Sequence, residues 1–158
     1  MDECTITTPL GPLRLRSDGQ ALVEATFLTE PGIPSPPQTP LLAQAAQELW
    51  EYFSAVRQKF DVPLSPSGSP FQQMVWAALR QIPYGECASY QEVAQAIGHP
   101  LAYRAVGSAN GRNPLPLFIP CHRVIAADGR LGGYSAGLER KKALLHLEGA
   151  TPPGKHPW

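Results

Sequence analysis

Cys121 sits between Pro120 and His122, in the run Ile119-Pro120-Cys121-His122-Arg123-Val124-Ile125. A thiolate is a potent nucleophile, and a nearby imidazole can promote its formation. Proline restricts the backbone just before the cysteine, so the sulfur is presented in one direction. Glu148 follows downstream, in His146-Leu147-Glu148-Gly149. A carboxylate at the end of a helix opposes the helix dipole and needs another reason to be there. A surface carboxylate at a helix end is the commoner reading of such a residue, and buried pairing with His122 is the alternative.

Two kinds of electrophile suit a soft anionic sulfur. Attack on a carbonyl gives a thioester that water hydrolyses, and it requires an oxyanion hole and turnover, to which nothing in the sequence points. Attack on the carbon of an O-alkyl group gives a thioether that water does not readily cleave. A protein using that second reaction acts once and is spent.

The elements that must position these residues fall into two groups. Thr5–Thr7, Leu13–Arg16 and Ala21–Leu28 read as strands, separated by Pro9-Leu10-Gly11-Pro12 and Ser17-Asp18-Gly19 turns. Glu30–Pro40 is proline-rich and reads as an irregular loop. Leu41, Leu42, Ala45, Ala46, Leu49, Trp50, Phe53 and Val56 recur at helical spacing. Asp61–Ser69 then reads as an interdomain linker. Beyond it the pattern turns helical, with Phe71, Met74, Val75, Ala78 and Leu79 on one face. Ser89 and Glu92 form a capping box that starts a helix through Ile97. Gly98-His99-Pro100 turns the chain into a second helix, from about Leu101 to Asn110. Two short helices around a glycine-containing turn spell helix-turn-helix. The chain around Cys121 is expected to be extended, which would place Cys121 and His122 on opposite faces. A last helix is expected from about Leu138 to Leu147, capped by Gly149. This gives domains over 1–66 and 70–150 and a flexible tail over 151–158.

The stretch from Arg104 to Ile125, Arg-Ala-Val-Gly-Ser-Ala-Asn-Gly-Arg-Asn-Pro-Leu-Pro-Leu-Phe-Ile-Pro-Cys-His-Arg-Val-Ile, resembles the signature of O6-alkylguanine-DNA alkyltransferases. Further likeness lies in Phe71-Gln72-Gln73-Met74-Val75-Trp76, Ile82-Pro83-Tyr84-Gly85, Ser89-Tyr90-Gln91-Glu92-Val93-Ala94 and Gly133-Tyr134-Ser135-Ala136-Gly137-Leu138. It runs from Pro70 to Gly149 almost continuously and is loose before Pro70.

The resemblance implies an RNase H-like α/β N-terminal domain and a mainly helical, winged-helix-like C-terminal domain. It implies transfer of the alkyl group of O6-methylguanine in double-stranded DNA to Cys121, in one irreversible turnover after base flipping, with O4-methylthymine as a further substrate to test. It implies a relay in which a water links His122 to the sulfur and Glu148 orients the imidazole. Asn113 would buttress the turn before the active site, and Tyr90 would crowd the target phosphate and hydrogen-bond the departing guanine. Arg104 would fill the gap left in the stack, on a helix entering the minor groove. Gln91, Ala105, Gly107, Ser108, Asn110 and Arg112 join Tyr90 and Arg104 as DNA-facing candidates. Pro116, Tyr134, Ser135, Ala136 and Gly137 would shape the alkyl pocket; the family often has Gly-Gly where this chain has Ala136-Gly137. The alternative is a non-catalytic lesion-binding protein that recruits other repair factors. Cys121 argues against it, because such proteins carry another residue there. A transcriptional regulator ranks lower, as no dimerisation heptad is present.

Composition agrees. Net charge is zero, but residues 1–70 hold four Lys/Arg against eight Asp/Glu, and residues 71–150 hold eight against five. A C-terminal half at +3 suits a polyanionic partner, with moderate, salt-sensitive affinity. No long apolar run and no leader pattern occur, so a monomer in the cytoplasm, away from membranes, is expected. Three cysteines, Cys4, Cys87 and Cys121, make no even disulfide framework. No cofactor is expected. The first 70 residues hold one cysteine and no histidine, which excludes a four-ligand zinc site there.

Overall fold

Three strands open the chain: β1 (Asp2–Thr8), β2 (Gly11–Ser17) and β3 (Leu22–Phe27). They form one antiparallel sheet in the order β1-β2-β3. Leu13, Leu15 and Ser17 alternate inward along β2, the period of two that a half-buried strand requires. Helix α1 (Pro40–Phe53) lies against β1 and β2. Thr39 caps it, its hydroxyl accepting from Leu42 N, and Pro40 takes the first turn, where no donor is missed. The structure is a computed structural model and describes residues 1–30, 32–153 and 157–158.

The buried face of α1 differs from the expected one. Leu42, Ala45, Glu48, Leu49 and Tyr52 point inward, while Trp50 is 65% exposed and Val56 is 72% exposed. Glu48 is drawn in because its carboxylate accepts from the backbone amides of Asp61 (2.9 Å) and Val62 (3.1 Å). A buried carboxylate that collects backbone donors keeps its desolvation cost small. Ser35, in the irregular loop, exchanges bonds with Thr5 along the edge of β1. Residues 62–65 run beside β3, with Leu22 N donating to Pro63 O and Ser65 N to Leu22 O. The first compact unit ends at Ser67 and the second begins at Gly68.

The second unit starts with α2 (Pro70–Leu79), opened by a reciprocal Ser69–Gln72 capping box. The expected face holds at Val75 and Leu79, but Met74 is 41% exposed and Trp76 is buried instead. The Trp76 indole donates to Ala109 O at 2.9 Å, which fixes α2 on α4. The two-residue strand β4 (Ala88–Ser89) leads into α3 (Tyr90–Ala96), whose Ser89–Glu92 capping box forms as expected. Helix α4 (Tyr103–Gly111) starts two residues later than the sequence indicated. His99 O takes the Ala102 amide, so Pro100 and Leu101 belong to the turn. Helices α3 and α4 pack together as the helix-turn-helix.

After α4 come the Cys121–Arg123 3₁₀ turn, β5 (Val124–Ile125), which pairs in parallel with β4, and α5 (Leu138–Leu147). Gly149, at φ +74°, ends α5 in the left-handed conformation. Of the expected tail, residues 154–156 lie outside the described residues; beyond them the Trp158 indole donates to Gly129 O at 2.9 Å.

Candidate active site

Cys121 is not extended. Pro120 has φ −79° and ψ 64°, and Cys121 N donates back to Ile119 O at 2.8 Å. These are the angles of an inverse γ-turn, one that proline's ring pre-sets in φ. Arg123 N then donates to Pro120 O, closing a 3₁₀ turn over Cys121, His122 and Arg123. The opposite-face geometry of a strand therefore does not apply. All three residues are buried, Cys121 at 1% exposure.

His122 Nε2 lies 2.8 Å from Glu148 Oε2, and both side chains are wholly inaccessible. Arg123 closes on the same carboxylate from a second side, with Nε donating to Oε1 (2.8 Å) and Nη2 to Oε2 (2.9 Å). Its Nη1 donates to Ile82 O at 2.8 Å. Burial pushes the Glu148 carboxyl up, but the bonds from His122 and Arg123 outweigh it and hold it down to about 2. Burial, followed by the Arg123 and Lys141 charges, lowers the His122 imidazole despite the pull of Glu148. The pair is thus a neutral imidazole donating from Nε2 to an anionic carboxylate. That tautomer leaves the lone pair on Nδ1, which is buried and has no hydrogen-bond partner among the described residues. A neutral histidine with a fixed tautomer and an open nitrogen is built to take a proton.

The thiol needs such a base. Burial pushes Cys121 up, and the Asn113 amide and the Lys141 charge bring it only part of the way back. Asn113 clamps the loop before the cysteine: its Oδ1 accepts from Leu115 N (2.9 Å) and its Nδ2 donates to Ile119 O (2.8 Å). Between those bonds Leu117 is held at φ +78°, a conformation a branched residue rarely adopts.

A second buried cation organises the opposite wall. Lys141, on α5, is fully buried and donates to Val124 O (2.7 Å), Gly133 O (3.0 Å) and Leu131 O. Burial brings its pKa down to about 8. Its three protons tie the active-site strand to the loop that carries Tyr134. Burial holds the Tyr134 phenol well above its usual value; the hydroxyl feels the Cys121 sulfur and has no partner at normal hydrogen-bond geometry among the described residues. Gly132, at φ +71°, packs under Tyr90, where an added Cβ would lie 2.8 Å from the phenolic oxygen. A Cβ added to Gly107 of α4 would lie 3.7 Å from the Cδ1 and Cε1 atoms of the same ring, ordinary van der Waals contact.

Comparison with known proteins fits this arrangement. Residues 70–150 match the DNA binding domain of 6-O-methylguanine DNA methyltransferase, and residues 3–66 match its ribonuclease-like domain. A methylated-DNA–protein-cysteine methyltransferase of Mycobacterium tuberculosis is 46% identical over 153 residues, 94% of this chain and 93% of that one. The chain belongs to the methylated-DNA–protein-cysteine methyltransferase family. The constitutive member from Bacillus subtilis is 54% identical over 112 residues, 70% of this chain and 68% of its own. Among solved structures, Mycobacterium tuberculosis OGT in complex with DNA aligns with TM-score 0.85 and 46% identity, over 92% of this chain and 91% of that one. The O6-methylguanine DNA methyltransferase of Methanococcus jannaschii aligns with TM-score 0.70 and 30% identity over 92% of each chain.

Tyr90, Gln91, Arg104 and Gly107 line one open groove of about 270 Å³, with Tyr103, Ala126 and Ala127. Arg104, Ala105, Ser108 and Arg112 are exposed on or just after α4. Asn110 departs from the expected DNA-facing set: it is 4% exposed, and its Nδ2 donates inward to Cys121 O at 3.3 Å. Pro116 is buried in the clamped loop, Ser135 and Gly137 are exposed, and Ala136 O accepts from Arg140 at 2.9 Å. Nothing in the sequence marks Arg123 and Lys141 as site residues, because a basic residue reads as solvated unless its buried partners are known.

Proposed function

We propose that this chain is a DNA-repair alkyltransferase that takes the alkyl group of O6-methylguanine in duplex DNA onto Cys121. His122 Nδ1, through a bridging water, accepts the thiol proton, and Glu148 and Arg123 hold the imidazole in that tautomer. The thiolate attacks the alkyl carbon in line: the S–C bond forms as the C–O bond breaks, and the electron pair leaves with the guanine. Tyr90 hydrogen-bonds the departing base. Arg104 enters the space the base vacates, and flipping costs least where pairing is already damaged. The exposed residues of α4 meet the minor groove. Pro116, Tyr134, Ser135, Ala136 and Gly137 enclose the alkyl group.

The observation that carries this reading is the buried His122–Glu148 pair beside Cys121, with Nδ1 open. The product thioether has no route back, so each molecule reacts once. A protein that merely bound the lesion would not need a base poised beside a thiol. Three free cysteines suit a reducing cytoplasm, and the protein acts there as a monomer. Among the described residues no helix is long and apolar enough to cross a membrane.

The test is intact mass after mixing with a duplex bearing one O6-methylguanine, followed by peptide mapping. One added methylene on Cys121, saturating at one per protein, is expected. Tight binding with unchanged mass would place the protein with lesion-recognition modules instead. A duplex with O4-methylthymine in the same assay defines the second substrate.

A further inference from the structure

Tyr103 is the first residue of α4 and stands next to Arg104. It is 37% exposed, and Leu101, in the turn just before it, is 90% exposed. Exposed apolar residues are ordinary when scattered singly, so what singles out Tyr103 is that it lines the same groove as Tyr90 and Arg104. Tyr103 and Gly107 are four residues apart, so they share one helix face. The Tyr90 ring lies near Gly107, 3.7 Å from where a Cβ there would sit. Tyr90, Tyr103, Gly107 and Arg104 all line the same open groove of about 270 Å³. Flat apolar walls with one adjacent cation are the features that receive nucleobases. Aromatic rings stack on any base face, and a cation beside the groove draws in the nucleic-acid backbone.

We infer that Tyr103 is a base-contacting residue: with Tyr90 and Gly107, it lines a slot that holds a nucleobase displaced from the duplex. The inference rests on the alkyl-transfer reading above and adds a residue to it. Tyr103 touches no member of the Cys121–His122–Glu148 set among the contacts of the described residues. Its part is to steady a base outside the stack, so its loss slows the duplex reaction more than the reaction with a free base.

The experiment is single-turnover kinetics of wild type, Tyr103→Ala and Tyr103→Phe on duplex O6-methylguanine and on free O6-benzylguanine, with melting curves for each protein. Tyr103→Ala is expected to lower the duplex rate about tenfold more than the free-base rate, the order of a lost base–aromatic stack. Tyr103→Phe keeps the ring and is expected to restore most of the duplex rate. Equal losses on both substrates, or a Phe variant as slow as Ala, overturn the stacking role. A Tyr103→Ala protein as fast as wild type on duplex overturns it as well. If wild type transfers no methyl group to Cys121 at all, it is the alkyl-transfer reading that fails first, and that result is read from the wild-type arm alone.

Discussion

His122 Nε2 and Glu148 Oε2 meet at 2.8 Å with no solvent access to either side chain, and Arg123 grips the same carboxylate with two further bonds. The carboxylate therefore serves three N–H donors at once. Glu148→Gln keeps the shape but replaces one acceptor oxygen with an NH₂ that faces a donor. Breaking a buried charge pair in this way costs about 3–5 kcal/mol. The variant should melt well below wild type and should react slowly with O6-benzylguanine even where it is folded, since Nε2–H is no longer held. Wild-type kinetics in a folded Glu148→Gln protein would remove His122 from the role of base.

The same pair sets the acid limit of the fold. Glu148 has its carboxyl held down to about 2, against an ordinary 4.5. A lowered carboxyl contributes stability that is complete above pH 4.5 and fades as pH falls toward 2. His122 acts in the same direction: its imidazole is lowered by burial, so the unfolded chain binds a proton that the folded one resists once pH drops below 6.5. Stability should begin to fall just below pH 6.5 and fall further below 4.5. Urea unfolding at pH 7.5, 5.5 and 4 checks it, and a midpoint that held constant across that series would contradict the assigned protonation states.

Part of this site could be read in the chain and part could not. The Ser89–Glu92 box fixed the start of α3 because both partners are local, three residues apart. Pro120 announced a constrained backbone before Cys121, but proline fixes only φ. The value of ψ, and with it the γ-turn, was decided by the Cys121 N to Ile119 O bond. Arg123, Lys141 and the inward turn of Asn110 depend on carbonyls and a carboxylate up to 41 residues away, which no local pattern encodes. The roles proposed for Tyr90, Asn113 and Arg104 rest on family likeness rather than on spacing. Trp76 lies off the apolar period of its neighbours, and its indole bond to Ala109 O explains its burial.

Lys141 offers a test of the pocket wall. It is fully buried, and its ammonium meets the carbonyls of Val124, Leu131 and Gly133. Lys141→Met fills a similar volume but supplies no donor. Each buried acceptor left unpaired costs about 1–3 kcal/mol, partly offset because no charge is buried any longer. The net effect is expected to be a loss of about 2 kcal/mol, with faster amide exchange confined to residues 131–135 and slower reaction with O6-benzylguanine. Unchanged exchange in that loop would show that something else holds it.

Gly132 and Tyr90 should be energetically coupled. A Cβ on Gly132 would lie 2.8 Å from the Tyr90 hydroxyl oxygen, but 3.3 Å and 3.5 Å from the nearest ring carbons. At φ +71° an alanine is strained whatever the space, by about 1 kcal/mol or more. Gly132→Ala therefore carries two penalties, backbone strain and the oxygen contact. In a Tyr90→Phe background only the strain remains in full. A double-mutant cycle of unfolding free energies across wild type, Gly132→Ala, Tyr90→Phe and the pair isolates the contact, because the strain and the lost phenolic bonds cancel. The cycle should show that Tyr90→Phe relieves about 1 kcal/mol of the Gly132→Ala penalty, within the range seen for touching residues. Strict additivity would mean that the loop carrying Gly132 moves away freely from Tyr90, and the glycine would then answer only to its backbone angle.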